Sequence, residues 1–172
     1  MPTLVRAAAR PELQTIQTIE RASAQRFLGV MDAVANDEPS PLPLLDARRE
    51  AGGLLVAEFQ AGGASALAGF VMFRPLEESL YVEQIDVLPD FGRQRIGATL
   101  IDAVADQARN MGLARLTLST FRDIPWNAPY YRKLGFADLD GQALSPGLAA
   151  VRYDHLARGL DENARVFMAR KL

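Results

Sequence analysis

The stretch "LPDFGRQRIGATLIDAVADQARNMG", residues 88–112, decides the fold of this chain. It follows a β-branched, apolar run that breaks at Pro89, and it leads into an amphipathic helix predicted from about Ile96 to Asn110 and ended by Gly112. Apolar residues recur in this helix at helical spacing and are predicted to face the core: Leu100, Ile101, Val104, Ala108 and Met111.

The start of this helix carries positive charge and has no obvious cap. Residues 91–96 are Phe, Gly, Arg, Gln, Arg and Ile, and none is a Ser, Thr, Asp or Asn that would accept the first backbone N–H bonds. Arg93 and Arg95 also oppose the helix macrodipole, at about 0.3–1 kcal/mol each. A bound anion would remove both problems, and Gly92 and Gly97 would let the backbone approach it closely. The alternative is that the arginines extend into solvent and water satisfies the amides.

The identity of the anion is restricted by the same stretch. "GRQRIGAT", residues 92–99, matches the phosphate-loop pattern G-x-x-x-x-G-K-[ST] at Gly92, Gly97 and Thr99, but Ala98 stands where the lysine should be. That lysine holds the terminal phosphates, so nucleoside triphosphate hydrolysis is disfavoured. The sequence also lacks G-x-G-x-x-G, which disfavours a nicotinamide cofactor.

The rest of the chain predicts a single α+β domain over residues 1–172, with an antiparallel meander, then a βαβ unit, then a terminal helix and strand. The proline-rich segment 36–45 is expected to be a loop. The glycine-rich "QAGGAS" between two strands predicts a hairpin. The predicted strands are 3–8, 53–59, 66–75, 79–88, 114–120 and 164–172. The other predicted helices are 10–28, 46–52, 126–136 and 145–159.

Composition excludes several classes of function. The 172 residues have a formal net charge of -2, so there is no electrostatic case for nucleic acid or an anionic membrane as the partner. The chain has no cysteine and one histidine, which argues against disulfides and against a histidine-built metal site or a Ser–His triad. His155 itself is expected on a helix surface. The N-terminus shows no signal-peptide pattern and no apolar run is long enough to span a membrane, so a cytoplasmic location is expected.

Two segments carry a family resemblance. "VLPDFGRQRIGATLIDAV", residues 87–104, resembles the acyl-CoA-binding motif of the GNAT N-acetyltransferases: a strand ending in Val-x-Pro, then (Q/R)-x-x-G-x-(G/A), then a long helix. "WNAPYYRKLGF", residues 126–136, resembles the family's next motif, with an Asn, a Tyr and a closing Gly-Phe. Order, spacing and the intervening strand match over residues 79–136. The departures are Gly92 for the usual first Arg or Gln, and Arg95 for the usual middle glycine.

The resemblance implies a mixed, splayed central sheet flanked by helices, and acetyl-CoA as co-substrate with no metal. The pyrophosphate of coenzyme A would be bound by backbone amides at the helix start, and the pantetheine arm would pair with the main chain near Val87. Asn127 would contact the arm, or cap the helix that follows, or do both. The implied cofactor-binding residues are Val87, Leu88, Arg93, Gln94, Arg95, Ile96, Gly97, Ala98, Thr99 and Asn127.

The implied reaction is direct attack of an amine on the thioester carbonyl. A backbone N–H near Val87 would stabilise the oxyanion. Tyr131 matches the family's tyrosine and would protonate the leaving thiolate, with core packing as the alternative role. The base is expected on the strand "YVEQIDV", where Glu83 and Asp86 lie on opposite faces. Glu83 is the preferred candidate; Asp86, water, or a Glu83 that only holds the ammonium group remain open.

The sequence therefore predicts an acetyl-CoA-dependent N-acetyltransferase. The expected partner is a small-molecule or protein amine, and a homodimer is one candidate assembly. Specificity is expected to come from residues 27–43, Trp126 and residues 138–165. The rival hypotheses are a non-catalytic acyl-CoA-binding or sensing module of the same fold, and a phosphate-loop nucleotide enzyme, which Ala98 opposes.

Overall fold

The computed structural model describes residues 3–172, so Met1 and Pro2, the start of the N-terminal segment considered above, lie outside it. The strands are β1 (Thr3–Ala7), β2 (Leu54–Ala61), β3 (Ala64–Leu76), β4 (Ser79–Val87), β5 (Arg115–Phe121), β6 (Ala137–Asp138) and β7 (Arg165–Lys171). The helices are α1 (Leu13–Ala24), α2 (Asp32–Ala35), α3 (Leu42–Glu50), α4 (Ile96–Asn110), α5 (Ala128–Lys133) and α6 (Pro146–Ala157).

The described strands form one sheet in the order β1-β2-β3-β4-β5-β7-β6. β1 with β2, β2 with β3, β5 with β7 and β6 with β7 are antiparallel, whereas β4 and β5 are parallel and α4 connects them. A parallel pair needs such a crossover, because a short turn can join only antiparallel strands. This confirms the predicted α+β class with a meander and one βαβ unit. The two-residue strand β6 was not predicted.

The hairpin between β2 and β3 has the predicted glycine turn. Ala61 pairs with Ala64, so the loop consists of Gly62 and Gly63, with φ of 57° and 81°. Two positive φ values in succession match the twist of a tight hairpin, and glycine adopts them without steric cost.

Helix α4 buries the predicted face. Leu100, Ile101, Val104 and Ala108 are all fully buried. The prediction for Met111 was wrong: its side chain is 49% exposed, because α4 has ended at Asn110 and the chain is already turning through Gly112. Helical spacing therefore predicts a buried face only as far as the helix continues.

Segment 36–45 contains the main error in the predicted secondary structure. Its first part is a loop as expected, but α3 begins at Leu42, ahead of the predicted start at residue 46. Pro43 lies in the first turn, where its missing N–H removes no intrahelical bond, so proline there starts a helix rather than preventing one. The one-turn helix α2 was also not predicted.

The position of His155 corrects another expectation, because its side chain is buried rather than on the surface. It lies on the same face of α6 as Leu148 and Val151. Its Nδ1 is 2.6 Å from Oε1 of Glu162, and its ring stacks on Phe167 with centroids 6.2 Å apart. Burial, together with the charge of Arg165, lowers the pKa of His155 despite the opposing effect of Glu162.

The chain groups into two compact units. One comprises the residues up to Arg74 together with Gln84–Ala103, and the other comprises Pro75–Glu83 together with Val104–Leu172. The core of the first unit consists mainly of residues from α1, α3, β2 and β3: Ala8, Leu13, Ile16, Ile19, Leu45, Leu54, Val56, Phe70 and Met72. The core of the second includes Tyr81, Leu148, Val151 and Phe167. A single domain over 1–172 stays a prediction.

Across residues 3–172, no helix combines the length and the apolar character needed to cross a bilayer.

Gly69 provides a test of the packing between β3 and β4. A methyl group here would lie 2.7 Å from the carbonyl oxygen of Asp86 and 3.2 Å from Cγ2 of Val87. We expect Gly69→Ala to lower the free energy of unfolding by about 1–3 kcal/mol, because the clash is with backbone that cannot rotate away. The matched control is Gly141→Ala, whose methyl group would meet only Arg152 Nη1 at 3.9 Å. Denaturant unfolding of both variants measures the difference, and equal stabilities would contradict the packing described.

Candidate functional site

The segment between β4 and α4 is anchored at its beginning. The N–H of Leu88 donates to the carbonyl oxygen of Ala68 at 2.8 Å, and a 3₁₀ turn follows over Pro89–Phe91. The ring of Phe91 packs edge-on against Phe59, with centroids 5.2 Å apart. The loop that leads to α4 is therefore fixed to β2 and β3 through its first residues.

Two arginines in this loop have left-handed backbones. Arg93 has φ of 62° and Arg95 has φ of 60°, and both residues are exposed. This conformation costs a residue with a Cβ about 1–2 kcal/mol, which glycine avoids. Position 95 corresponds to the glycine of the motif noted above, so the structure explains why that motif favours glycine there. Both arginines adopt this unfavourable conformation, and their positive side chains lie just before the start of α4.

The amides after this turn lack acceptors. Thr99 donates both its N–H (3.0 Å) and its hydroxyl (2.9 Å) to the carbonyl oxygen of Arg95, which closes the first turn of α4. Within residues 3–172, the backbone N–H groups of residues 93–98 donate to no protein acceptor. Such a row of amides at the positive end of a helix dipole is suited to bind an anion with several oxygens. The Thr99 hydroxyl would have to give up its bond to Arg95 to donate to a ligand.

The end of β4 presents a backbone edge. The carbonyl oxygen of Asp86 lies against Gly69, and the N–H of Leu88 bonds to Ala68, so both residues direct their polar groups toward β3. Alternation along the strand directs the N–H and C=O of Val87 to the opposite side. The ladder of β4 with β5 ends at Val82 paired with Leu118, so Val87 lies beyond the part of β4 that pairs with β5.

Asn127 has a polar atom that requires a partner. It precedes α5 at the N-cap position, but its side chain makes no capping hydrogen bond. Its Oδ1 is buried and has no hydrogen-bond partner within the described part of the chain. The simple capping role considered from the sequence is therefore not what the side chain does here. A buried acceptor of this kind normally has a donor, which a ligand could provide.

Tyr131 is buried in α5. Its ring lies edge-on to Tyr130 and Phe136, with centroids 5.5 Å and 5.8 Å away. The packing role considered for this tyrosine is thus present, and a role for its hydroxyl stays a prediction. Glu83, the preferred base, lies half-buried on β4.

Asp86 is the site residue whose environment the sequence did not reveal. Nε2 of Gln84 donates to its Oδ2 at 2.7 Å. Burial raises the pKa of Asp86 to about 7, although Gln84 and the nearby hydroxyl of Ser23 in α1 oppose the rise. The only signal in the sequence was a carboxylate within the apolar run "IDVL", residues 85–88.

A polar cluster in and just after α1 acts on this carboxylate and consists of Glu20, Ser23 and Arg26. Ser23 is buried and accepts a hydrogen bond from Nη2 of Arg26 at 2.9 Å. Glu20 accepts hydrogen bonds from the N–H and Oγ of Ser40 at 3.0 and 3.2 Å, and burial raises its pKa. The charges of Glu20 and Arg26 act on Asp86 in opposite directions.

Residues 3–172 contain no group of three or more His, Cys, Asp or Glu side chains placed to hold a metal ion.

Comparison with known proteins agrees with this geometry. The model described as "Acetyltransferase (GNAT) family" matches residues 14–136. Three similar structures are an N-acetylglutamate synthase from Neisseria gonorrhoeae complexed with coenzyme A and N-acetyl-glutamate, the PaiA N-acetyltransferase from Thermoplasma acidophilum in complex with coenzyme A, and the ribosomal-protein-S18-alanine N-acetyltransferase from Escherichia coli.

Their identities to this chain are 16%, 19% and 16%, and their TM-scores are 0.74, 0.71 and 0.64. They cover 100%, 100% and 99% of this chain. The match spans 35% of the synthase chain, 100% of the PaiA chain and 94% of the S18 enzyme. At these identities the structures establish the shared fold, and the family model covers most of the sequence. The chain belongs to the GNAT acetyltransferase family.

Proposed function

We propose that this protein transfers the acetyl group of acetyl-CoA to a primary amine. The observation that carries the proposal is the row of amides from Arg93 to Ala98 without protein acceptors, at the positive end of α4 and beside two arginines. A diphosphate has enough oxygens to accept several of these bonds. Family membership and the similar structures in complex with coenzyme A support the same ligand.

The residues present fit the other parts of coenzyme A. Val87 offers an N–H and a C=O that turn away from β3, and these suit pairing with the amides of an extended pantetheine arm. The N–H of Leu88 is already engaged with Ala68, so its contact would come from its carbonyl oxygen or side chain. The buried Oδ1 of Asn127 would accept a hydrogen bond from the arm.

The proposed chemistry assigns one task to each group. The N–H of Val87 stabilises negative charge on the thioester oxygen during attack. Tyr131 donates a proton to the departing thiolate. A carboxylate of β4 receives a proton from the amine, with Glu83 as the candidate preferred from the sequence. Acetyl-CoA supplies the activated acetyl group, and no metal is invoked.

The acceptor is proposed only as a class, a small-molecule or protein amine. The names of similar proteins point both ways: one was crystallised with N-acetyl-glutamate, and another is a ribosomal-protein-S18-alanine N-acetyltransferase. Residues 27–43 and 138–165, with Trp126, remain the proposed determinants of specificity. A homodimeric assembly and a cytoplasmic location are also proposed from the sequence.

The experiment that tests the function combines binding with turnover. Acetyl-CoA, but not ATP, should raise the melting temperature of the protein. Release of coenzyme A thiol should then depend on an added amine from a panel of polyamines, amino acids, aminoglycosides and N-terminal peptides. Binding of acetyl-CoA without amine-dependent thiol release would instead favour the alternative, a non-catalytic acyl-CoA sensor, which would have no need of Tyr131 as a proton donor.

The charged loop generates one prediction. Arg93→Glu/Arg95→Glu should weaken coenzyme A binding by at least tenfold, more strongly at low than at high salt, because exposed charges are screened. Calorimetric titration at two ionic strengths measures it. The control is Arg21→Glu/Lys171→Glu, which makes the same charge change at two exposed positions elsewhere. If both double variants bind coenzyme A as the parent does, the arginines do not contact the ligand.

The phenol of Tyr131 generates another prediction. Tyr131→Phe keeps the ring packing and removes the hydroxyl, so stability and acetyl-CoA affinity should change little. Turnover should fall by roughly 10²–10⁴-fold, as expected for loss of one general acid. The fall should be smaller for an acyl donor with a more acidic thiol, which leaves without help.

The control for this prediction is Tyr130→Phe, which removes the hydroxyl of the neighbouring tyrosine and keeps its ring. Measurements of kcat and melting temperature with two donors separate the two roles of Tyr131. A lower melting temperature with the same loss for both donors would show that Tyr131 is structural.

A further inference from the structure

We propose that Asp86, rather than Glu83, is the general base that deprotonates the acceptor amine, and that Gln84 positions its carboxylate for this task. The inference rests on the proposed acetyl transfer and makes it more specific.

The place of Asp86 along the strand is the first support. It directly precedes Val87, whose N–H is proposed to bind the thioester oxygen, and consecutive Cα atoms lie about 3.8 Å apart. The carboxylate therefore belongs to the residue next to the proposed oxyanion donor. Hydrogen-bond reach to the transferred proton is the first requirement for a general base.

The face of the strand is the second support. Side chains of Gln84 and Asp86 point to the same side, because they are two residues apart, and the hydroxyl of Ser23 in α1 favours the ionised form of Asp86. The side chain of Val87 points to the other side. There Cγ2 of Val87 and Cδ1 of Leu100 lie 3.2 and 3.4 Å from the position that a Cβ on Gly69 would occupy. One side of this part of β4 is thus packed by α4, and the other carries the polar cluster.

The hydrogen bond from Gln84 holds the carboxylate in one orientation, and Asp86 is not fully buried. Gln84 binds Oδ2 at 2.7 Å, and Ser23 is itself fixed by Arg26 at 2.9 Å. Asp86 still keeps part of its surface exposed. An oriented carboxylate on a residue that is not fully buried can exchange a proton with a bound amine.

The charge balance around Asp86 suits the same role. The charged groups that act on it are Glu20, which disfavours its ionised form, and Arg26, which favours it. Burial dominates both, and the pKa of about 7 lets the group accept a proton at neutral pH and release it again. The period of two along an extended strand predicts that Glu83 points away from this cluster.

The proposed step conserves protons and electrons. An ammonium acceptor first gives one proton to the Asp86 carboxylate, and the nitrogen lone pair then forms the C–N bond while the C–S bond breaks. The thiolate leaves with the C–S electron pair and is protonated by the donor proposed above, which recovers a proton from the new amide nitrogen. The products are the N-acetyl amine, coenzyme A thiol and a protonated Asp86, which returns its proton to solvent.

The test is the pH dependence of kcat for Asp86→Asn, a nearly isosteric change, with acetyl-CoA and the amine of the panel that the parent uses best. The parent kcat should rise with pH along a limb centred near 7. In Asp86→Asn this limb should disappear. At pH 7 kcat should be lower by roughly 10²–10⁴-fold, and the deficit should shrink at high pH, where the amine deprotonates unaided. Affinity for acetyl-CoA should be unchanged.

Three further variants complete the experiment. Ser23→Ala removes a hydroxyl that favours the ionised carboxylate, so the limb should move to higher pH without being lost, even if Asp86→Asn folds poorly. Glu78→Gln, an exposed carboxyl before β4, should keep the parent profile. Glu83→Gln is the direct competitor: loss of the limb here, with its retention in Asp86→Asn, would overturn the proposal.

The remaining outcomes distinguish failure of the Asp86 role from failure of acetyl transfer. An Asp86→Asn variant with parental kcat and a higher KM would show that Asp86 only binds the ammonium group, which overturns its role as base while acetyl transfer stands. A parent that binds acetyl-CoA but acetylates none of the amines would overturn the proposed function, and this inference with it.

Discussion

The turn from β4 into α4 is the constraint on which the first compact unit depends. The chain must leave a paired strand at Leu88 and begin a helix at Ile96, and it does so through two left-handed residues. Each costs about 1–2 kcal/mol. The strand end is pinned to β3 and the first turn of α4 is closed at Thr99, so the intervening backbone has few alternatives. The backbone N–H groups of residues 93–98 are therefore available to a ligand at the start of the helix.

The cost of that turn is met by apolar burial. Leu100 and Ile101 are fully buried on α4, and each such side chain contributes about 1.5–3 kcal/mol. The helix would therefore be held in place even if its first turn gained nothing from the loop. The unfavourable features are confined to residues 93–98, where a ligand can reach them. Stability and ligand recognition are thus carried by opposite ends of the same segment.

What the sequence predicted well was local. The hairpin at Gly62 and Gly63 and helix α4 follow from turn chemistry and from apolar spacing within a short window. The errors concern properties that other segments determine. Nothing near His155 in sequence shows that α6 would bury it against Phe167, and segment 36–45 contains a helix because its prolines fall at and before the first turn of α3.

The candidate site shows the same division. The uncapped helix, with its arginines and Val87, could be identified within one stretch, since all its parts are consecutive. The state of Asp86 could not, because it depends on Ser23, Arg26 and Glu20, more than fifty residues earlier in the chain. A carboxylate on a strand becomes a base near neutral pH only when another element removes water from it. In this protein the carboxyl group of Asp86 is buried, and residues in or just after α1 act on it. In the proposed function Val87 then separates a carboxylate suited to a cationic amine from amides suited to an anion.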